Sequence, residues 1–130
     1  MPLRKKSILI VDDEESIRLA TSQYLKFAGY RPLTAKNADE AMEIARREPV
    51  RLVLADVMMP GKSGYDLLRE LRQDPATKHI PVVIVTALRG AADDETARIS
   101  GAADVLVKPV EGKHLQAVVK QLLGSSMEEE

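Results

Sequence analysis

Five short runs of aliphatic and β-branched residues alternate along this chain with stretches of helical period, and few architectures accept such a pattern. A parallel sheet with crossover helices on both faces does. Three of the runs, Ile8-Leu9-Ile10-Val11, Leu52-Val53-Leu54-Ala55 and Val82-Val83-Ile84-Val85, are continuously apolar, as expected for strands covered on both sides. Two weaker runs, Tyr30 to Leu33 and Val105 to Val107, read as the second and fifth strands. Between the strands, Ala38, Ala41, Met42 and Ala45 form one apolar helical face, and Leu115, Val118, Val119 and Leu122 form another. Asn37 with Glu40, and Ser63 with Asp66, have the spacing of a capping side chain and a carboxylate three residues on, so helices are expected to start there. Gly29 and Gly124 stand where helices should stop. Residues 90–100 differ: Gly90, Ala91, Ala92 and Ala97 are small and Ile99 is the one large apolar side chain, which predicts a thinly anchored helix.

The chain has 130 residues, 45% hydrophobic and 30% charged, enough for a single globular domain with one core and too few for a second. That domain is expected over residues 1–124, with 125–130 a disordered acidic tail. Nineteen basic and 20 acidic side chains give a formal charge of −1, so no global field favours nucleic acid or an anionic membrane. No segment has the character of a basic recognition helix, which argues against direct DNA binding. The absence of cysteine removes disulfides, thiolate metal sites and cysteine nucleophiles. The apolar stretch after Leu3-Arg4-Lys5-Lys6 ends at Asp12, too short for a secretory core or a membrane span, and a cytoplasmic location is the default expectation.

In a parallel α/β sheet the loops after the carboxyl ends of the strands open onto one rim, and polar residues placed there converge. Asp12 and Asp13 follow the first strand, Asp56 the third, Thr86 the fourth and Lys108 the fifth. Singly, each has an ordinary explanation: acidic charge at a helix start, a turn residue before Met59-Pro60-Gly61, a capping threonine, a solvated lysine. Joint placement at four strand ends favours a site. Clustered carboxylates repel one another and are normally held by a hard divalent cation, of which Mg²⁺ suits the set best, with Mn²⁺ or Ca²⁺ as substitutes. Its preference for one or two carboxylates plus phosphate oxygen and water leaves a carboxylate for phosphoryl transfer, with Lys108 and Thr86 placed to contact a phosphoryl oxygen.

Taken together, Ile8 to Val11 with Asp12-Asp13-Glu14, then Asp56-Val57-Met58-Met59-Pro60-Gly61, Thr86-Ala87 and Lys108-Pro109 resemble the response-regulator receiver family over residues 7–123. The resemblance implies a three-layer (βα)5 flavodoxin-like fold with five parallel strands in the order 2-1-3-4-5 and five helices. It implies that Asp56 is a phosphoacceptor served by a phosphohistidine of a sensor histidine kinase or a histidine phosphotransfer domain. Asp12, Asp13, Asp56 and the Met58 main-chain carbonyl would bind Mg²⁺, Lys108 and Thr86 would contact the phosphoryl group, and the Lys108–Pro109 peptide would be cis. Such a domain is a switch that assists its own phosphorylation, not an enzyme with an external substrate, and passes its signal to an output protein or domain as a monomer or weak dimer.

Two departures from the family pattern concern the output side: Val105 stands where Tyr or Phe is usual, and Val110 where Phe is frequent. Without a ring at 105, Thr86 and the helix at 90–100 are left to carry the switch. The resemblance also implies that the side chains two residues beyond Asp56 and Thr86 help or hinder the hydrolytic water; Met58 and Leu88 there are apolar and cannot orient it, which predicts a long-lived phosphorylated state. A phosphohydrolase with Asp12 as nucleophile and Glu14 as proton donor leaves Asp56 without a role. A flavin-binding module of similar fold would set its phosphate against Asp12-Asp13-Glu14-Glu15. A receiver-like domain that binds a partner without phosphorylation stays open as a minority reading. Gly61-Lys62-Ser63 resembles the end of a phosphate loop, but Asp56 occupies the position of its first glycine. His79 and His114 lack companions at metal-ligand spacing and are expected on the surface.

Overall fold

A computed structural model of the chain describes residues 2–87 and 91–130, without the side chains of residues 91–94. In chain order the elements are β1 (Leu3–Lys5), β2 (Ser7–Val11), α1 (Glu15–Phe27), β3 (Arg31–Ala35), α2 (Ala38–Arg47), β4 (Val50–Asp56), α3 (Gly64–Gln73), β5 (Val82–Thr86), α4 (Ala91–Ile99), β6 (Asp104–Val107), α5 (Gly112–Leu123) and β7 (Met127–Glu129). Five parallel strands form the main sheet in the order β3-β2-β4-β5-β6, which is 2-1-3-4-5 when only these five are numbered. The expected flavodoxin-like architecture is therefore present.

Strand alternation divides the core in two. Leu9 and Val11 of β2, Val53 and Ala55 of β4, and Val82 and Ile84 of β5 pack with Ala41 and Met42 of α2 and with Leu67, Leu68 and Leu71 of α3. Ile8 and Ile10, Leu52 and Leu54, Val83, and Leu106 of β6 face the other way, onto Leu25 of α1 and Leu115, Val118 and Val119 of α5. Both predicted caps form. Asn37 Oδ1 accepts the Glu40 N–H at 2.8 Å, and Ser63 and Asp66 make the reciprocal capping box. The α4 helix fits its expected thin anchoring: Ala97 is buried, whereas Ile99 is 75% exposed. Leu88 and Gly90, singled out in the sequence, lie outside the described residues.

The last residues correct an expectation. In place of a disordered tail, β7 pairs antiparallel with β1, setting Arg4 opposite Glu128. Glu128 accepts from Arg4 at 3.2 Å and from Arg51 at 2.5 Å, and Ser126 O accepts the Lys6 N–H at 2.7 Å. Three consecutive glutamates favour solvent when read alone. Here the middle one meets two arginines supplied by β1 and β4, and the charge that argued for a free tail fastens it instead. The Glu128 carboxyl is held down at about 2, first by its hydrogen bond from Arg51; burial opposes this, and the hydrogen bond from Arg4 and the charges of both arginines add to the lowering.

Candidate functional site

The parity that sorts the core also assembles the site. Asp12 continues the series Ile8, Ile10; Asp56 continues Leu52, Leu54; and Lys108 continues Leu106, so all three belong to the α1 and α5 side of the sheet at its carboxyl rim. Lys108 Nζ lies 3.3 Å from Asp12 Oδ2 and 3.1 Å from Asp56 Oδ2. Asp12 and Asp56 are each only 3% exposed, while Asp13 faces solvent. One carboxylate oxygen from each of Asp12, Asp13 and Asp56 lies within 4.8 Å of the others. That spacing and an all-oxygen donor set suit a hard divalent cation.

Local hydrogen bonds fix the carboxylates. Asp12 Oδ1 accepts the Glu14 N–H at 2.9 Å, and Arg18 donates to the Asp12 carbonyl at 2.7 Å, which ties the loop to the first turns of α1. Asp56 Oδ1 accepts the Met58 N–H at 3.3 Å. Burial pushes the Asp56 carboxyl above the usual range and the neighbouring Asp12 adds to this; the hydrogen bonds from Lys108 and Met58 pull the other way without cancelling it. Burial also works against the Lys108 ammonium, but the Asp56 hydrogen bond and the charges of Asp56 and Asp12 outweigh it and hold its pKa above that of an ordinary lysine. The Lys108–Pro109 peptide is cis, as expected.

Thr86 reaches the same rim as the last residue of β5 and is buried, and its carbonyl accepts the Lys108 N–H at 2.8 Å. It shares the parity of Ile84, on the α2 and α3 side. Met58 is 66% exposed at the mouth of the site, and Met59 packs into the core beneath. Val105 is partly buried against the same core. His79 and His114 are exposed. Among the described residues, no helix is long and apolar enough to cross a membrane.

Two residues that the sequence reading missed support the site. Arg18 is one; its charge among those of α1 gave no signal. Gly64 is the other: a Cβ there would stand 2.5 Å from the Asp56 carbonyl oxygen, so α3 approaches the end of β4 only because that position has no side chain. Its place directly after the Ser63 cap was the available hint.

A five-stranded parallel sheet of this order, carrying an acidic cluster and a lysine at its carboxyl rim, defines a flavodoxin-like domain whose switch-point loop is acidic where nucleotide binders are neutral. The chain belongs to the response regulator receiver domain family, whose sequence profile matches residues 8–120, and is a receiver domain of two-component signalling. It is 42% identical over 123 residues to "Probable transcriptional regulator ycf27" of Cyanophora paradoxa, covering 95% of this chain and 50% of that protein. It is 42% identical over 116 residues to the response regulator PleD of Caulobacter vibrioides, covering 88% of this chain and 25% of PleD. The chain thus spans half or less of these two relatives. Among solved structures, the chemotaxis protein CheY4 of Vibrio cholerae superposes with a TM-score of 0.87 at 28% identity, over 92% of this chain and all of CheY4. The receiver domain of a signal transduction histidine kinase from Syntrophus aciditrophicus gives 0.82 at 32% identity, over 91% and 89% of the two chains.

Proposed function

We propose that this domain is a phosphorylation-dependent switch in which Asp56 accepts a phosphoryl group from a phosphohistidine of a sensor histidine kinase or histidine phosphotransfer domain. The observation that carries the reading is the buried Asp56 carboxylate, ion-paired to Lys108 at 3.1 Å beside the oxygens of Asp12 and Asp13. An Asp56 oxygen attacks phosphorus, the phosphorus–nitrogen bond to the donor imidazole breaks, and its electron pair stays on that nitrogen. Lys108, already directed at Asp56, neutralises charge on the transferred group. Asp12, Asp13, Asp56 and the Met58 main-chain carbonyl would hold Mg²⁺. When bound, the ion offsets the carboxylate charges and offers a ligand position to a phosphoryl oxygen. Asp56 is consumed and regenerated by the same site, so the domain acts as a self-assisting acceptor and not as an enzyme on an outside substrate.

Thr86 has the opposite strand parity but stands at the same carboxyl rim, where it would contact the new group and pass the change to α4, whose scant anchoring lets it move. Val105 supplies no ring for this step. With Met58 apolar and open to solvent, and Leu88 apolar in sequence, no side chain at these two positions orients a hydrolytic water, which favours a long-lived adduct. The reading is completed by a cytoplasmic location, residues 1–124 as the receiver unit with β7 fastened to it, a monomer or weak dimer in solution, and an output protein or domain as partner without direct nucleic-acid or membrane contact. The test is intact and peptide mass spectrometry after incubation with acetyl phosphate and Mg²⁺. A single phosphoryl adduct on Asp56, lost in Asp56→Asn and without added Mg²⁺, is expected. Label on Asp12 with rapid turnover, or no adduct at all, would overturn the reading.

A further inference from the structure

Over the sheet face that carries Ile10, Leu54, Val85 and Leu106, α1 and α5 do not close, and a cavity of about 440 Å³ remains between them. Side-chain size explains it. Ser16, Ala20 and Thr21 of α1 line the space, and Leu25 is the one residue of that helix to be fully buried. Val110 and Leu115 form the opposite wall without reaching across. Protein interiors pack as densely as organic crystals, and a space of this size falls in the range of small-molecule sites, about 300–1,000 Å³.

The cavity is apolar along its length and charged at one end. Because Asp12, Asp56 and Lys108 share the parity of Ile10, Leu54 and Leu106, they form its inner wall. Two carboxylates face one ammonium there, so the wall carries one negative charge in excess. At the other end stands Tyr24, whose ring lies so close to the start of α5 that a Cβ on Gly112 would collide with it.

The geometry points to a binding site for a small amphiphilic cation, one primary ammonium on an aromatic or aliphatic body. The ammonium donates to the carboxylates of Asp12 and Asp56: Lys108 engages one oxygen of each and the Glu14 and Met58 amides the other, but two carboxylates offer about eight lone-pair positions, so acceptor capacity remains. The body covers Ile17, Leu106, Val110 and Leu115. A carboxylate on the same body meets excess negative charge and is excluded. An ammonium without a body gains little, since the cavity is then left unfilled. The inference does not rest on phosphoryl transfer at Asp56.

The test is a titration of the full chain, with labelled Ile, Leu and Val methyl groups followed by NMR and no divalent ion present. The probes are 2-phenylethylamine, 3-phenylpropionate and methylammonium. Saturable shifts confined to the cavity methyls are expected with the amine, with binding weaker by about tenfold or more for each of the other two probes. Ala20→Leu, which fills the cavity from α1, should weaken the amine by a similar factor. Val110→Phe fills it from the opposite wall and serves if Ala20→Leu does not fold. Absence of saturation, equal shifts with methylammonium or phenylpropionate, or undiminished binding in a folded cavity-filled variant would overturn the inference. Acetyl phosphate labelling of Asp56 in the absence of amine tests the other reading, so the two failures are separable.

Discussion

Replacing Gly64 with alanine sets two physical rules against each other at the phosphoacceptor. Gly64 is the first residue of α3, and no positive φ requires glycine there, so helix propensity alone favours Gly64→Ala by at most the roughly 0.5–1 kcal/mol that holds in a helix interior. The packing says the reverse. The new Cβ would lie 2.5 Å from the Asp56 carbonyl oxygen, 3.0 Å from its carbonyl carbon and 3.2 Å from the Val57 Cα. All three are backbone atoms of a strand end held in the sheet: β4 pairs with β5 through Asp56, and the Val57 N–H bonds to Val85 O at 3.0 Å. No side chain can rotate away, so α3 or the end of β4 must shift bodily by half an ångström or more to bring the nearest contact to the 3.0 Å limit. Overpacking of this kind costs about 1–3 kcal/mol, more than the helix gains. The expected result in urea denaturation is a loss of about 1–2 kcal/mol with an unchanged m-value, and slower labelling of Asp56 by acetyl phosphate because its carboxylate is displaced from Lys108. A Gly64→Ala protein as stable as the parent or more so, labelled at the parental rate, would refute the reasoning.

Three further outcomes are expected. Burial raises the Asp56 pKa, so the folded state binds that proton more tightly than the unfolded chain; the resulting stability is complete at acid pH and lost as pH rises through the folded value. Asp56→Asn should therefore melt above the wild type at pH 7 in chelator, with the gap narrowing as pH falls through the raised Asp56 value and closing once it is below the ordinary carboxylate range, as calorimetry will show. For Glu128, a pKa near 2 against the ordinary 4.5 sets a ceiling of roughly 3 kcal/mol, and the exposure of both arginines reduces it to about 1–2 kcal/mol. Its sign is opposite: the contribution is present above the ordinary glutamate pKa and disappears as pH falls toward about 2, so Glu128→Gln should cost stability at pH 7, cost less near pH 3, and lose amide-exchange protection in β1 and β7. Finally, Met58→Asn should shorten the phosphoryl lifetime by about tenfold if a polar group there can orient water; an unchanged decay of the labelled protein would count against Met58 as a determinant.

The strands and the acidic rim were legible because each depends on local order. An apolar run that stops abruptly at Asp12-Asp13 or at Asp56 announces both a buried strand and what stands at its end, and strand parity then fixes which face receives each side chain. Lys108 was legible through the same rule. The remainder depended on partners remote in the chain. Nothing near Glu128 indicates that Arg51 will donate to it, and Gly64 reads as an unremarked helix start until β4 is laid beside it. The gap between α1 and α5 was hidden for a related reason: Ser16, Ala20 and Thr21 are unexceptional in a helix, and only the distance to Val110 and Leu115 turns their small size into empty space.

The division of the rim by parity has a mechanical consequence. The charged cluster sits on one side of the sheet and the Thr86 series on the other, yet the Lys108 amide is bonded to the Thr86 carbonyl. A tug on the lysine would be delivered to its neighbouring strand through the main chain, at the margin where β6 ends the order of the described sheet. Fewer ladder bonds hold that margin than the centre of the sheet, so a displacement of Lys108 would be felt first along the hem, in β6 and through it in β5.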